Sequence, residues 1–340
     1  MTTLMAREID ECGAVVARCL QENAAAFADL AERLAGRAPA VVVTNARGSS
    51  DHAALYLKYL IEIALGLPCA SIGPSIASLY RAPLKLSHGL AIAISQSGRS
   101  PDIVAAQRAA RDGGAHAVAL VNSEASPLAD EADCLIPLRA GPEQSVAATK
   151  SMIAALAAGA GLVAAWSREA ALSQALGALP DALAPPAPPP QALVETLAAS
   201  PAAFVLGRGS TFAIAAEAAL KLKETCAIHA EAFSSAEVMH GPAELVRPGF
   251  LVIAFPPRDE AAEGFAGALD RLRALGARVV TVEAGGQDGP DRLGAAAARH
   301  PLLAPIPMLH RFYALAEATA RRLGRDPDRP SNLRKVTETR

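Results

Sequence analysis

Three stretches of the chain carry side chains whose types and spacing could do chemistry. In the first, Ser95-Gln96-Ser97-Gly98-Arg99-Ser100-Pro101-Asp102, three hydroxyls and an amide crowd a turn that follows an apolar strand. Ser100 suits a helix N-cap, with Pro101 at the first helical position and Asp102 in the first turn. Hydroxyls and free backbone N–H groups at a helix N-terminus can hold phosphate without many cations, and Gly98 lets the backbone come close. Ser49 and Ser50 form a second polar turn, expected on the same sheet edge. An ordinary strand–helix turn uses Ser and Gly too, so composition alone leaves both readings open. In the second stretch, the helical pattern of Thr211–Ile228, residues Glu217, Lys221 and Glu224 fall at i, i+4 and i+7 on one stripe. That is either a solvated face of ion pairs or the wall of a cleft. In the third, Gly241-Pro242 ends a short helix and leaves His240 at its edge, where an imidazole can exchange protons near neutral pH. Glu237 and His240 have the spacing of half a metal site, but no second Glu/His set matches, so no metal is expected.

Parallel sheets covered by helices would position these residues. The chain has 340 residues, 51% hydrophobic and 19% charged, enough for about two domains with sizeable cores. A net charge of −2 provides no long-range field for nucleic acid or an anionic membrane, so neither is expected as a partner. The five cysteines (12, 19, 69, 134 and 226) are scattered, with no CxxC pair, which implies reduced thiols and a cytoplasmic location. The start, MTTLMAREIDE, lacks the apolar core of a signal peptide. The uncharged run Ser151–Ser167 falls short of the ~20 residues that span a bilayer. It reads as a packed core or interface helix.

Apolar strand candidates alternate with helical stretches: 40–46, 69–72, 90–95, 117–121 and 134–137, then 203–207, 251–255, 278–283 and a weaker 302–306. The halves also match each other. Arg47-Gly48-Ser49-Ser50 recurs 161 residues on as Arg208-Gly209-Ser210-Thr211, and Leu90–Ile94 maps onto Leu251–Phe255 with the same offset. We expect an α/β protein of two doubly wound parallel-sheet domains related by internal duplication. Its parts are residues 1–180 with a leading helical segment, a Pro-rich linker at 181–194, a second domain at 195–325 and a tail at 326–340. After the third strand the first copy carries the hydroxyl-rich loop, whereas the second has Pro256-Pro257-Arg258-Asp259-Glu260.

SQSGRSPD, SVAATK (145–150), EAALKLKE, IHAEAF with EVMHGPAEL, and the tail DPDRPSNLRKVTETR occur together in this order. With them the chain resembles the SIS-domain sugar-phosphate isomerase/deaminase family: the isomerase half of the glutamine:fructose-6-phosphate amidotransferases and stand-alone SIS-type glucosamine-6-phosphate deaminases. The resemblance implies that Ser50, Ser95, Gln96, Ser97 and Ser100 grip a sugar phosphate. It implies that Glu224 shuttles a proton, that Lys221 lies near the sugar, and that His240 opens the sugar ring from a neighbouring subunit. In the tail, considered an active-site element, Lys335 matches a lysine able to form an imine. Glu143 and Val146 match sugar-contacting positions. The expected partner is a hexosamine or hexose 6-phosphate bound by a homodimer with shared active sites, without a cofactor. No glutaminase domain precedes Met5, and both GRSPD and KVTETR look more like the stand-alone enzymes. The expected reaction is glucosamine 6-phosphate to fructose 6-phosphate and ammonia. The alternatives are a ketose/aldose isomerase or deglycase on another amino-sugar or fructosamine phosphate, or a non-enzymatic sugar-phosphate sensor. Glu224, His240 and Lys335 speak against the sensor.

Overall fold

The computed structural model describes residues 2–335, which divide into two compact units. One unit holds Ala14–Glu143, Lys150–Leu176 and Lys335. Its sheet consists of β1 (Val42–Asn45), β2 (Cys69–Ser71), β3 (Leu90–Ser95), β4 (His116–Val121) and β5 (Cys134–Pro137). All pairings are parallel, in the order β2-β1-β3-β4-β5. Every residue of β1 and β3 is buried, as a sheet covered on both faces demands. The chain order reverses between β1 and β3, so loops at their carboxyl ends flank a topological switch point, where open α/β sheets bind ligands. The helix Lys150–Ser167 has the length and composition to cross a membrane, yet 89% of its residues are buried in the folded chain. Its small residues admit close neighbours: a Cβ at Gly161 would lie 2.7 Å from the Phe27 ring.

The other unit holds residues 2–13, Gln144–Thr149 and Gly177–Arg334. Its strands are β6 (Ala202–Gly207), β7 (His229–Ser234), β8 (Leu251–Ala254), β9 (Arg278–Ala284) and β10 (Arg292–Ala295). They are again parallel, in the order β10-β9-β8-β6-β7, which repeats the connectivity of the first sheet. The correspondence extends to single residues. Gly48 and Gly209, which open the helix after the first strand of each copy, have φ/ψ of 54°/−133° and 56°/−134°. This left-handed conformation favours glycine. Phe204 of β6 meets Phe233 and Phe250 edge-to-face, with centroids 5.0 and 4.8 Å apart, on one face of the second sheet. The N-terminal helix Leu4–Asp10 belongs to this unit, and the Asp328 carboxylate accepts the Leu4 and Met5 N–H groups, each at 2.8 Å.

The strand expected at 302–306 does not form. Pro301–Leu303 make a 3-10 turn, and Pro305 opens the buried helix Pro305–Arg322 at the position where proline fits best. A short apolar run cannot separate strand from buried helix by pattern alone. The fifth strand is β10, and β7 is a strand the sequence reading did not assign.

Candidate functional site

In the first-sheet unit the β3 loop is a built turn. Ser95 Oγ accepts the Gly98 N–H at 3.0 Å, and Ser97 Oγ accepts that of Arg99 at 3.3 Å. Gly98 has φ +63°, and a Cβ there would lie 2.2 Å from Ser126 Oγ, so no other residue fits this bend. Ser100 occupies the expected N-cap position of the helix Pro101–Asp112, but its side chain makes no capping bond. Among the described residues the Gln96 and Ser100 side chains carry no hydrogen bond. Ser50 lies in the first turn of the helix Ser49–Leu65, after β1.

The two turns are clasped by a pair the sequence reading did not single out. The half-exposed Arg47 guanidinium donates through Nη2 and Nε, at 2.9 and 3.0 Å, to one oxygen of Asp102, which is 1% exposed. The Asn45 amide adds a bond to the Ile103 carbonyl at 2.8 Å. Arg47 and Asp102 each lie in a quoted motif, but their pairing depends on β1 and β3 being neighbours.

Glu143 and Lys335 also meet in this unit. The fully buried Glu143 carboxylate accepts the N–H and Oγ of Ser151 at 3.0 and 2.6 Å, and Lys335 Nζ at 3.2 Å. A carboxylate at the start of the helix Lys150–Ser167 is favoured by the helix dipole. Val146 belongs to the other unit, where its N–H donates to the Asp328 carbonyl at 3.0 Å.

The charged stripe lies in that second-sheet unit, and it is not a solvated face. Glu217 and Lys221 are fully buried, while Glu224 is 21% exposed. Lys221 Nζ contacts Glu224 Oε2 and lies 3.4 Å from Glu217 Oε1, which also accepts the Tyr313 hydroxyl at 3.0 Å. Removing one member of such a buried charge group leaves another uncompensated, at a cost of about 3–5 kcal/mol. The helix Ser210–Lys221 widens into a π turn over Leu222–Cys226 that carries Glu224. Such turns are frequent at functional sites. Glu224 is the member of the group that reaches solvent, and its Oε1 has no hydrogen bond among the described residues. Tyr313 escaped the sequence reading because its helix began in the segment taken as a strand.

His240 closes the 3-10 turn Glu237–His240 and is exposed. Gly241 follows with φ +145°. The imidazole makes no hydrogen bond among the described residues, and it is not bonded to the Glu217–Lys221–Glu224 group.

Comparison with known proteins matches the SIS domain to residues 40–165 and again to 196–286. A glutamine–fructose-6-phosphate aminotransferase (isomerizing) of Symbiobacterium thermophilum is 38% identical over 324 residues, covering 88% of this chain and 52% of that protein. The chain thus spans about half the length of the curated relatives it matches. The crystal structure of a candidate phosphosugar isomerase from Silicibacter pomeroyi superposes with a TM-score of 0.89 at 45% identity, covering 96% of this chain and all of that one. The C-terminal domain of the Francisella tularensis glucosamine-fructose-6-phosphate aminotransferase follows, with a TM-score of 0.78 at 26% identity, covering 96% of this chain and 98% of that one.

Proposed function

The chain belongs to the SIS-domain family, and we propose that it is a cytoplasmic enzyme converting glucosamine 6-phosphate to fructose 6-phosphate and ammonia. The observation that carries this reading is the buried Glu217–Lys221–Glu224 group, with one carboxylate oxygen tethered and the other unengaged. The relatives named above, sugar-phosphate enzymes by their names, support the substrate class.

In this reading the hydroxyls of Ser50, Ser95, Ser97 and Ser100 and the Gln96 amide bind the phosphate. His240 opens the pyranose by taking the O1 proton and returning one to O5, a role its unengaged imidazole suits. Glu224 removes the C2 proton; the C–H electrons form the C1=C2 bond while the C1=O pair moves onto O1, which takes a proton from water, giving an enolamine. Returning that proton to C1 leaves an iminium at C2. Water adds to C2, ammonia leaves and the ketose remains. Lys221 acts on Glu224 rather than on the sugar. Lys335, held by Glu143, stabilises developing oxyanion charge or forms a transient imine. His240 serves the site of a second copy in a homodimer.

The test is release of ammonia and fructose 6-phosphate from glucosamine 6-phosphate without glutamine, beside Glu224→Gln. The variant should lose about 10²–10⁴-fold in kcat and all proton exchange at C2, with binding retained. Isomerisation without ammonia would replace the deaminase with a ketose/aldose isomerase. Exchange persisting in Glu224→Gln would remove the shuttle.

A further inference from the structure

We infer that Tyr313 is a positioning residue: through Glu217 and Lys221 it fixes the Glu224 carboxylate. The inference rests on Glu224 being the proton shuttle, and its geometry lies wholly within the second-sheet unit. Two carboxylates, one from the body of the helix and one from its π turn, compete for the buried ammonium of Lys221. A buried carboxylate must be compensated. The lysine ammonium lies 3.4 Å from Glu217, within ion-pair reach but beyond the usual hydrogen-bond distance. The Tyr313 hydroxyl, from the helix Pro305–Arg322, binds the same Glu217 oxygen at 3.0 Å. Glu217 therefore need not draw Lys221 onto itself, and the lysine stays on Glu224 Oε2. One oxygen of Glu224 is anchored while the other is left to accept the C2 proton. The hydroxyl makes no bond to Glu224 and acts at one remove.

Removing the hydroxyl alone should divert Lys221 to Glu217 and loosen Glu224. Tyr313→Phe is expected to lower kcat by about 10- to 100-fold, the worth of a hydrogen bond to a charged group. KM should stay within about twofold, because the substrate-binding groups are untouched. Neutralising Glu217 removes the competitor, so Tyr313→Phe/Glu217→Gln should return to the kcat of Glu217→Gln alone. A tyrosine that only packs would give the opposite result: the two losses would add, and the inference would be overturned.

Unfolding of the same proteins provides an arm independent of turnover. Once Lys221 has left it, Glu224 contributes less to stability. Glu224→Gln should then lower the unfolding midpoint less in the Tyr313→Phe background than in the wild type. Equal lowering in both backgrounds overturns the inference, whatever the wild type catalyses. If the wild type turns over no amino-sugar phosphate but this coupling is present, the deaminase reading fails and the positioning by Tyr313 stands.

Discussion

The two sheets share strand order, glycine conformation and the placement of a helix after the first strand, yet they differ at the two points where chemistry would occur. After β3 the chain makes a hydroxyl-rich turn and enters a helix at Pro101. After β8 it runs through Pro256 and Pro257, and the next helix waits until Ala262. There Asp259 accepts the Ala261 N–H at 3.0 Å, and its other oxygen lies 3.9 Å from where a Gly209 Cβ would be. A carboxylate thus borders the switch point of the second copy, where the first offers hydroxyls. The helices after the first strands differ in the opposite sense. Ser49–Leu65 runs regularly and carries an ordinary Lys58–Glu62 pair, whereas its counterpart breaks into a π turn over a buried charge group. A common scaffold fixes where a site can be, and local backbone irregularity and loop chemistry decide what it does. Each copy departs from the common pattern once, and at a different strand.

This contrast can be broken experimentally. The largest effect is expected at Gly98. In Gly98→Ala the new methyl meets Ser126 and the backbone needs a strained φ, so KM should rise about 10- to 100-fold. Asp259→Ala, in the matching loop of the second copy, should leave kcat/KM within about twofold. Steady-state kinetics on both variants checks the pair; equal losses would mean that the second switch point also binds substrate. An intermediate effect is expected at the two arginines that follow β1 and β6. Arg47→Met strands the buried Asp102 charge and should cost about 1–3 kcal/mol in denaturant unfolding, together with a raised KM. Arg208, exposed and donating to Ser234 Oγ at 3.2 Å, should cost at most about 0.5 kcal/mol when replaced.

The smallest effect concerns acid. Burial lowers the proton affinity of His310 in the second-sheet unit from the usual 6.5; its bond to the Ile9 carbonyl opposes this shift and Arg311 adds to it. The native protein then binds fewer protons than the unfolded chain, and stability falls as pH drops below about 6.5. His310→Gln should flatten that slope in thermal unfolding between pH 5 and 7.5. An unchanged slope would assign the acid sensitivity elsewhere.

The central strands were legible in sequence because they are buried on both faces and read as unbroken apolar runs. The edges were not. His229–Ser234 carries His229 and Glu231 at exposed positions and ends half-buried, and Arg292–Ala295 is only four residues long and opens on an exposed arginine. At the candidate site, the hydroxyl loop and the Glu217/Lys221/Glu224 spacing could be read directly, since both are local. The burial of that stripe, the Tyr313 bond and the Arg47–Asp102 clasp arise from residues brought together by folding. No spacing rule reaches across the 96 positions between Glu217 and Tyr313.

The attachment of the N-terminal helix also has a consequence for the order of folding. Leu4 finds its partner 324 positions away, at Asp328. At a synthesis rate of roughly 5–20 residues per second, its amide waits about 16–65 s for that carboxylate to be made. Over that interval the strands β1 to β5 emerge complete and can pair. The helix Leu4–Asp10 is made long before the carboxylate that secures it. A nascent chain stalled before residue 328 would therefore present this helix unanchored to chaperones and proteases.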